Sequence, residues 1–167
     1  LLHFDTKKDE QVLVKVGVSA VDIAGARKNV ESEISGWDFD KVRKDARTAW
    51  NQYLSKIDIT TSDKEDKTIF YSALYHTGIS PNLFTDADGR YLGMDLEVYQ
   101  GDTVNPVYTV FSLWATFRAL HPLMTIIDPE LNNQFINSLI KKHQEGGIYP
   151  MWDLASNYTG TMIGYHA

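Results

Sequence analysis

The apolar positions of this chain fall into short runs whose spacing changes after residue 19. Residues 12–19, Val12-Leu13-Val14-Lys15-Val16-Gly17-Val18-Ser19, form a Val-rich run that predicts a strand, with residues 1–4 as its partner. From there Val21, Ala24, Ala26, Val30 and Ile34 recur at helical spacing, with Ser19 or Asp22 as the cap and Ser35-Gly36 as the stop. Asp38 is positioned to cap a second helix, whose apolar face holds Phe39, Val42, Ala46, Ala49, Trp50, Tyr53 and Leu54. A polar loop at 60–67 leads to a third helix over 66–79, which Pro81 stops. Asp86-Ala87-Asp88-Gly89 is a turn signal before a short strand at 90–93. Residues 96–110 read as irregular. Residues 110–120 predict a strongly apolar, aromatic helix, and Pro129 opens another that Gly146-Gly147 ends. Residues 148–154 read as extended, and Thr159 or Thr161 opens a last helix. Helices paired back to back, with aromatic and charged residues in the loops, suit a helical toroid.

Composition narrows the chemistry. The 167 residues carry a net charge of −6, which argues against nucleic acid as a partner, because phosphate binding needs a basic field. No apolar run approaches the roughly 20 residues that span a bilayer, so no membrane span is expected. Without Cys, the chain supplies no disulfide, thiol nucleophile or Cys-ligated metal. Aromatics reach 12 %, which suits either a large core or a surface that stacks on ring-shaped ligands. The apolar residues at both ends fit a segment cut from a longer chain.

Several residues are candidates for chemistry. Asp86-Ala87-Asp88-Gly89 begins like a calcium loop, but the following spacing is wrong and a plain Asp-Gly turn that orients Arg90 is the preferred reading. Arg118 lies in an apolar helix, so its charge either pairs with a carboxylate such as Asp95 or faces a ligand. Trp114 and Trp152 serve either the core or a sugar face, and the glycine-flanked loop around Trp152 favours a site. Asp153 beside that indole is either a cap or an acid of raised pKa. The histidines show no metal-ligand spacing, and no nucleophile elbow or phosphate loop is present. Asn157-Tyr158-Thr159 matches the glycosylation tripeptide, a pattern that also arises by chance.

Taken in order, several blocks carry more information than any single motif. They are Phe70-Tyr71-Ser72-Ala73-Leu74-Tyr75-His76, Asp86-Ala87-Asp88-Gly89-Arg90-Tyr91-Leu92-Gly93-Met94-Asp95 and Tyr108-Thr109-Val110-Phe111-Ser112-Leu113-Trp114. Phe117-Arg118-Ala119-Leu120-His121-Pro122-Leu123, Gly146-Gly147, Pro150-Met151-Trp152 and Met162-Ile163-Gly164-Tyr165-His166 follow. Across residues 66–167 this succession resembles glycoside hydrolase family 92, the calcium-dependent exo-acting α-mannosidases.

The resemblance implies a mainly α chain forming part of an (α/α)6 toroid, preceded by the last strands of a β-sandwich and a helical linker. Residues 1–18 would end the sandwich, 19–60 form the linker and 61–167 begin the catalytic domain. It implies removal of terminal α-linked mannose from glycans with inversion, by an acid and a base about 6.5–9.5 Å apart that flank the bond and an attacking water. It further implies a Ca2+ ion whose ligands lie mostly elsewhere, inactivity of this fragment alone, and export from a bacterial cell. Arg90, Asp95, Trp114, Arg118, Trp152 and His166 are expected to line the sugar pocket.

Two positions depart from the family pattern. Ala115 stands where many members have Asp, and Tyr158 stands where many have the Glu identified as the general acid. A phenol, with an ordinary pKa of about 10, is a poor acid for a sugar leaving group. Three alternatives follow: Asp153 or a residue outside this chain takes the role, the substrate is phosphodiester-linked mannose whose phosphate leaves as an anion, or the homologue only binds mannosides.

Overall fold

The computed structural model describes residues 1 and 3–163. Six helices dominate: α1 (Ile23–Glu33), α2 (Phe39–Leu54), α3 (Lys64–Thr77), α4 (Leu113–Thr116), α5 (Leu120–Ile127) and α6 (Pro129–Gly146). Three two-stranded antiparallel ribbons lie between or after them. β1 (Asn82–Leu83) pairs with β4 (Tyr108–Thr109), β2 (Arg90–Leu92) with β3 (Val98–Gln100), and β5 (Asp153–Leu154) with β6 (Asn157–Tyr158). No helix among the described residues is long and apolar enough to cross a membrane.

The helix starts are chemically explicit. Asp22, Asp38, Asp63 and Asp128 each accept a hydrogen bond from a first-turn backbone N–H of α1, α2, α3 and α6, satisfying donors that have no intrahelical partner. Pro129 begins α6, where its missing N–H costs nothing, and Gly147 ends it in the left-handed region at φ 78°.

The buried core is formed by Phe111, Leu113, Met124 and Phe135, with Tyr53, Tyr108 and Leu131 among the side chains packed against it. Phe135 meets Tyr108 and Phe111 edge-to-face at 5.0 and 5.7 Å, the arrangement that aromatic quadrupoles favour. α2 buries no residue, and its Trp50 packs on Tyr53 and Tyr75 instead.

Several expectations change. Residues 12–19 form no strand: among the described residues they carry no ladder hydrogen bonds and no pairing with residues 1–4. That segment is held by side chains, with Lys15 Nζ donating to the Ile34 carbonyl at 2.7 Å and lying over the Trp37 ring. The single helix expected over 110–120 is broken. Val110 sits at φ 64°, outside helical geometry, and the amides of Phe111 and Leu113 bond Asp153 and the Met151 carbonyl. The backbone that would open the helix is therefore spent on tertiary pairing, and α4 lasts one turn before α5 restarts with Pro122 in its first turn. Residues 96–110, read as irregular, contain β3 and β4. The helix expected from Thr159 or Thr161 is not formed through residue 163, and its remainder lies outside the described residues.

Candidate active site

The sequence-derived site residues fall into two groups. The first is centred on the 86–100 hairpin. Gly89, at φ 85°, closes the Asp-Gly turn, with its N–H donating to the Asp86 carbonyl at 2.8 Å. Asp86, 5 % exposed, accepts from Ser19 Oγ at 2.6 Å and from Asn29 Nδ2 at 2.8 Å. Asp88 pairs with Lys28 at 2.9 Å and with Arg90 Nε at 3.0 Å. Arg90 also reaches Asp22 at 2.8 Å. Its guanidinium, together with the Gly25 N–H, holds the Asp22 carboxyl down to about 2. Arg90 is thus turned toward the start of α1, and the hairpin is clasped to that helix and its cap by four residue pairs: Asp86 and Ala87 with Asn29, Asp88 with Lys28, and Arg90 with Asp22. Asp95 accepts from Tyr99 Oη at 2.6 Å and from the Glu97 N–H. The Tyr99 hydroxyl holds the Asp95 carboxyl below its usual range, while the nearby carboxylate pushes the Tyr99 phenol up to about 12.

The second group gathers where α4, the 148–152 loop and the β5–β6 ribbon meet. Trp152 forms a backbone bridge with Ser112, next to the start of α4. Trp114 on α4 is 36 % exposed, and the Arg118 guanidinium lies 5.8 Å from its ring centroid and 5.5 Å from that of Phe117. An exposed cation over an aromatic face is worth about 0.5–1 kcal/mol. The buried Arg118–carboxylate pair allowed by the sequence is therefore corrected. Arg118 is exposed, and Asp95 is engaged with Tyr99 rather than with it.

Tyr158, half-buried in β6, stands directly across from Asp153 in β5. Asp153 is fully buried at 0 % exposure and accepts from Thr109 Oγ1 at 2.6 Å and the Phe111 N–H at 2.9 Å. Its ion pair with Lys142 Nζ is 3.0 Å long. A carboxylate so enclosed has no path to a leaving-group oxygen, so its environment is that of a structural anchor. His166 lies outside the described residues.

Sequence reading missed Lys142 and Glu145. Lys142, 2 % exposed, continues the α6 stripe of Asn132, Phe135 and Ser138. That stripe has helical spacing, so a Lys on it signals a buried counter-charge. Glu145, at the end of α6, accepts from Tyr91 Oη at 2.7 Å and the Met94 N–H at 3.1 Å. Ser156 Oγ donates to the Leu92 carbonyl at 2.9 Å, so the two groups are joined through β2.

Among the described residues no three His, Asp or Glu side chains converge to hold a metal ion. Asp86 and Asp88, the nearest approach to a calcium loop, are occupied by Ser19, Asn29, Lys28 and Arg90. A separate groove of about 440 Å³, lined by Trp50, Tyr53, Leu83, Tyr108 and Phe135 among others, carries no charged side chain.

Comparison with known proteins places these features. A profile described as the glycosyl hydrolase family 92 catalytic domain matches residues 25–167. The structure is similar to that of a family GH92 α-mannosidase from Bacteroides thetaiotaomicron, with a TM-score of 0.83 and 36 % identity, covering 89 % of this chain and 20 % of that one. The same enzyme has also been solved in complex with mannoimidazole. A family GH92 inverting mannosidase from B. thetaiotaomicron VPI-5482 is similar at a TM-score of 0.79 and 31 % identity, over 87 % of this chain and 20 % of that one. An uncharacterized secreted glycosidase of Arthroderma benhamiae is 40 % identical over 79 residues, 45 % of this chain and 10 % of that protein. The chain thus spans about a fifth of the length of these solved relatives. With the family profile matched along most of its length, the chain belongs to glycosyl hydrolase family 92.

Proposed function

We propose that the protein carrying this chain is an exo-acting α-mannosidase that removes terminal α-linked mannose from glycans with inversion. The observation that carries the reading is family membership over residues 25–167, with α-mannosidases among the similar structures. Within this chain, Trp114 on α4, Arg118 in the turn between α4 and α5 and Trp152 on the adjoining loop supply an aromatic, cationic surface suited to a sugar face and its hydroxyls. The base completes the site from outside these residues. So does Ca2+, since among the described residues no cluster of carboxylates fits a calcium site. The 167-residue chain alone is accordingly expected to be inactive. The helices are assigned to an (α/α)6 toroid from residue 61, after a linker at 19–60 and the end of a β-sandwich at 1–18. Export is supported by the secreted glycosidase relative.

A second reading rests on a specific observation. At the β5–β6 ribbon, the residue at the family's acid position is a phenol, Tyr158, and the neighbouring carboxylate, Asp153, is buried beneath Lys142. That pair favours a substrate whose leaving group needs no proton, such as phosphodiester-linked mannose, or a homologue that only binds mannosides. The test is mannose release by the full-length protein, with Ca2+, from an aryl α-mannoside, an α-mannobioside and a mannosyl phosphodiester. Release from the mannobioside supports the first reading. Release confined to the phosphodiester and the activated aryl glycoside supports the second, and no release from any of the three contradicts both hydrolytic readings.

A further inference from the structure

The Lys142–Asp153 pair is the one strongly buried ion pair among the described residues, with side chains 3 % and 0 % exposed. Neither partner reaches solvent, so neither can touch a substrate. Burying such a pair removes the hydration of both ions, and hydrophobic residues of similar volume often stabilise a fold as well or better. Its best-attested use is to specify one arrangement among several.

The arrangement at stake is visible around Asp153. Its carboxylate draws donors from three segments: Thr109 Oγ1 at the end of β4, the Phe111 N–H leading into α4, and Lys142 Nζ on α6. Between the first two lies Val110 at φ 64°. A β-branched residue in the left-handed region is strained and persists only where its surroundings over-determine it. Here the hydroxyl before it and the amide after it are tied to the same carboxylate. One residue on, Ser112 bridges to Trp152, and the Leu113 N–H donates to the Met151 carbonyl at 3.0 Å. Directly across the ribbon from Asp153 is Tyr158. A single anion therefore sets the placement of α4, which carries Trp114, and of the ribbon, which carries Tyr158.

We propose that Asp153, with Lys142 and Thr109, is a positioning residue that fixes Trp114, Trp152 and Tyr158 relative to one another on the side of the site that receives the leaving group. This rests on the reading of the site given under Proposed function. Lys142 pairs with the carboxylate and holds it in place, and Thr109 and the Phe111 amide direct its two oxygens.

The experiment compares Thr109→Val and Thr109→Ser with the parent in the full-length protein, at a temperature where circular dichroism shows all three folded. Thr109→Val removes the hydroxyl at nearly constant shape, and Thr109→Ser keeps it. Two readouts are taken: kcat and KM on an aryl α-mannoside, and the ¹⁹F resonance of 5-fluorotryptophan at position 152, assigned by its loss in Trp152→Phe. Misplacement of a site by a fraction of an ångström is costly in rate, so Thr109→Val is expected to lower kcat about tenfold with KM within about twofold. It also shifts or broadens the Trp152 resonance, and Thr109→Ser returns both to the parent values. An unchanged kcat in Thr109→Val overturns the proposal, because a merely stabilising pair leaves the folded enzyme's turnover alone. If the parent releases no mannose, the α-mannosidase reading fails separately. The ¹⁹F resonance then decides alone: a shift in Thr109→Val reversed in Thr109→Ser supports positioning, and an unmoved resonance overturns it.

Discussion

Gly25→Ala is predicted to loosen α1, although the same change in most helices tightens it. Gly25 is the third residue of α1, and its N–H donates to Asp22 Oδ1 at 2.6 Å. Helix propensity alone favours Ala over Gly by up to about 1 kcal/mol. An alanine Cβ here would lie 2.3 Å from Asp86 Oδ2 and 2.8 Å from Ser19 Oγ, where ordinary contact begins at 3.4 Å. The Asp86 carboxylate must therefore withdraw by about an ångström from a site where it is 5 % exposed and held by Ser19 and Asn29. A hydrogen bond to a charged group is worth about 1.5–3 kcal/mol, so the loss of either bond exceeds the propensity gain. The net cost is about 1–3 kcal/mol. Amide hydrogen exchange in α1 reads it directly, and protection across residues 26–33 is expected to fall about tenfold. In an Asp86→Ala background the nearer obstructing oxygen is gone and only Ser19 Oγ at 2.8 Å remains, so the cost of Gly25→Ala is expected to shrink. Slower exchange of α1 in Gly25→Ala with Asp86 present would refute the reasoning.

Three further outcomes follow from other contacts. Tyr91→Phe removes the hydroxyl that donates to Glu145 at 2.7 Å and leaves that half-buried carboxylate one partner short. Urea unfolding is expected to register a loss of about 1–3 kcal/mol. His121 has its pKa lowered by burial, so it binds a proton less readily folded than unfolded. Stability is therefore retained above the unfolded value of about 6.5 and falls as pH drops below it toward the folded value. Thermal melts from pH 7.5 to 5.5 in the parent and in His121→Gln check this, and the variant should lose that part of the slope. Tyr158→Glu restores a carboxylic acid at the ribbon and should raise mannose release from an α-mannobioside by about 10²-fold, with release from a mannosyl phosphodiester unaffected. An unchanged mannobioside rate would remove position 158 from proton transfer.

Local chemistry written in contiguous residues was legible in the sequence. The caps at Asp22, Asp38 and Pro129, the Asp-Gly turn and the Gly147 stop each depend on a few neighbouring atoms, and they stand where the pattern places them. The ordered motif blocks likewise gave the family, because their succession is a property of the chain itself. What the pattern could not reveal depends on partners distant in sequence. The expected helix over 110–120 is broken because Asp153 and Met151, some forty residues on, claim its opening amides. The resemblance implies a sugar-pocket place for Arg90, and its pairing with Asp22, 68 residues earlier, is a contact that no local pattern names. Residues 12–19 have the β-branched content of a strand, but a strand needs a ladder partner, and none pairs with them among the described residues. Lys142 escapes a sequence reading because the stripe it continues mixes Asn132 and Ser138 with Phe135, and only the fold supplies its counter-ion.

The central claim is that this chain serves an inverting α-mannosidase. The most direct measurement is ¹H NMR of the full-length protein acting on an aryl α-mannoside with Ca2+ present, recorded before the released sugar mutarotates. The account predicts β-mannose as the first product. An α-anomer appearing first, or no mannose released, would contradict it.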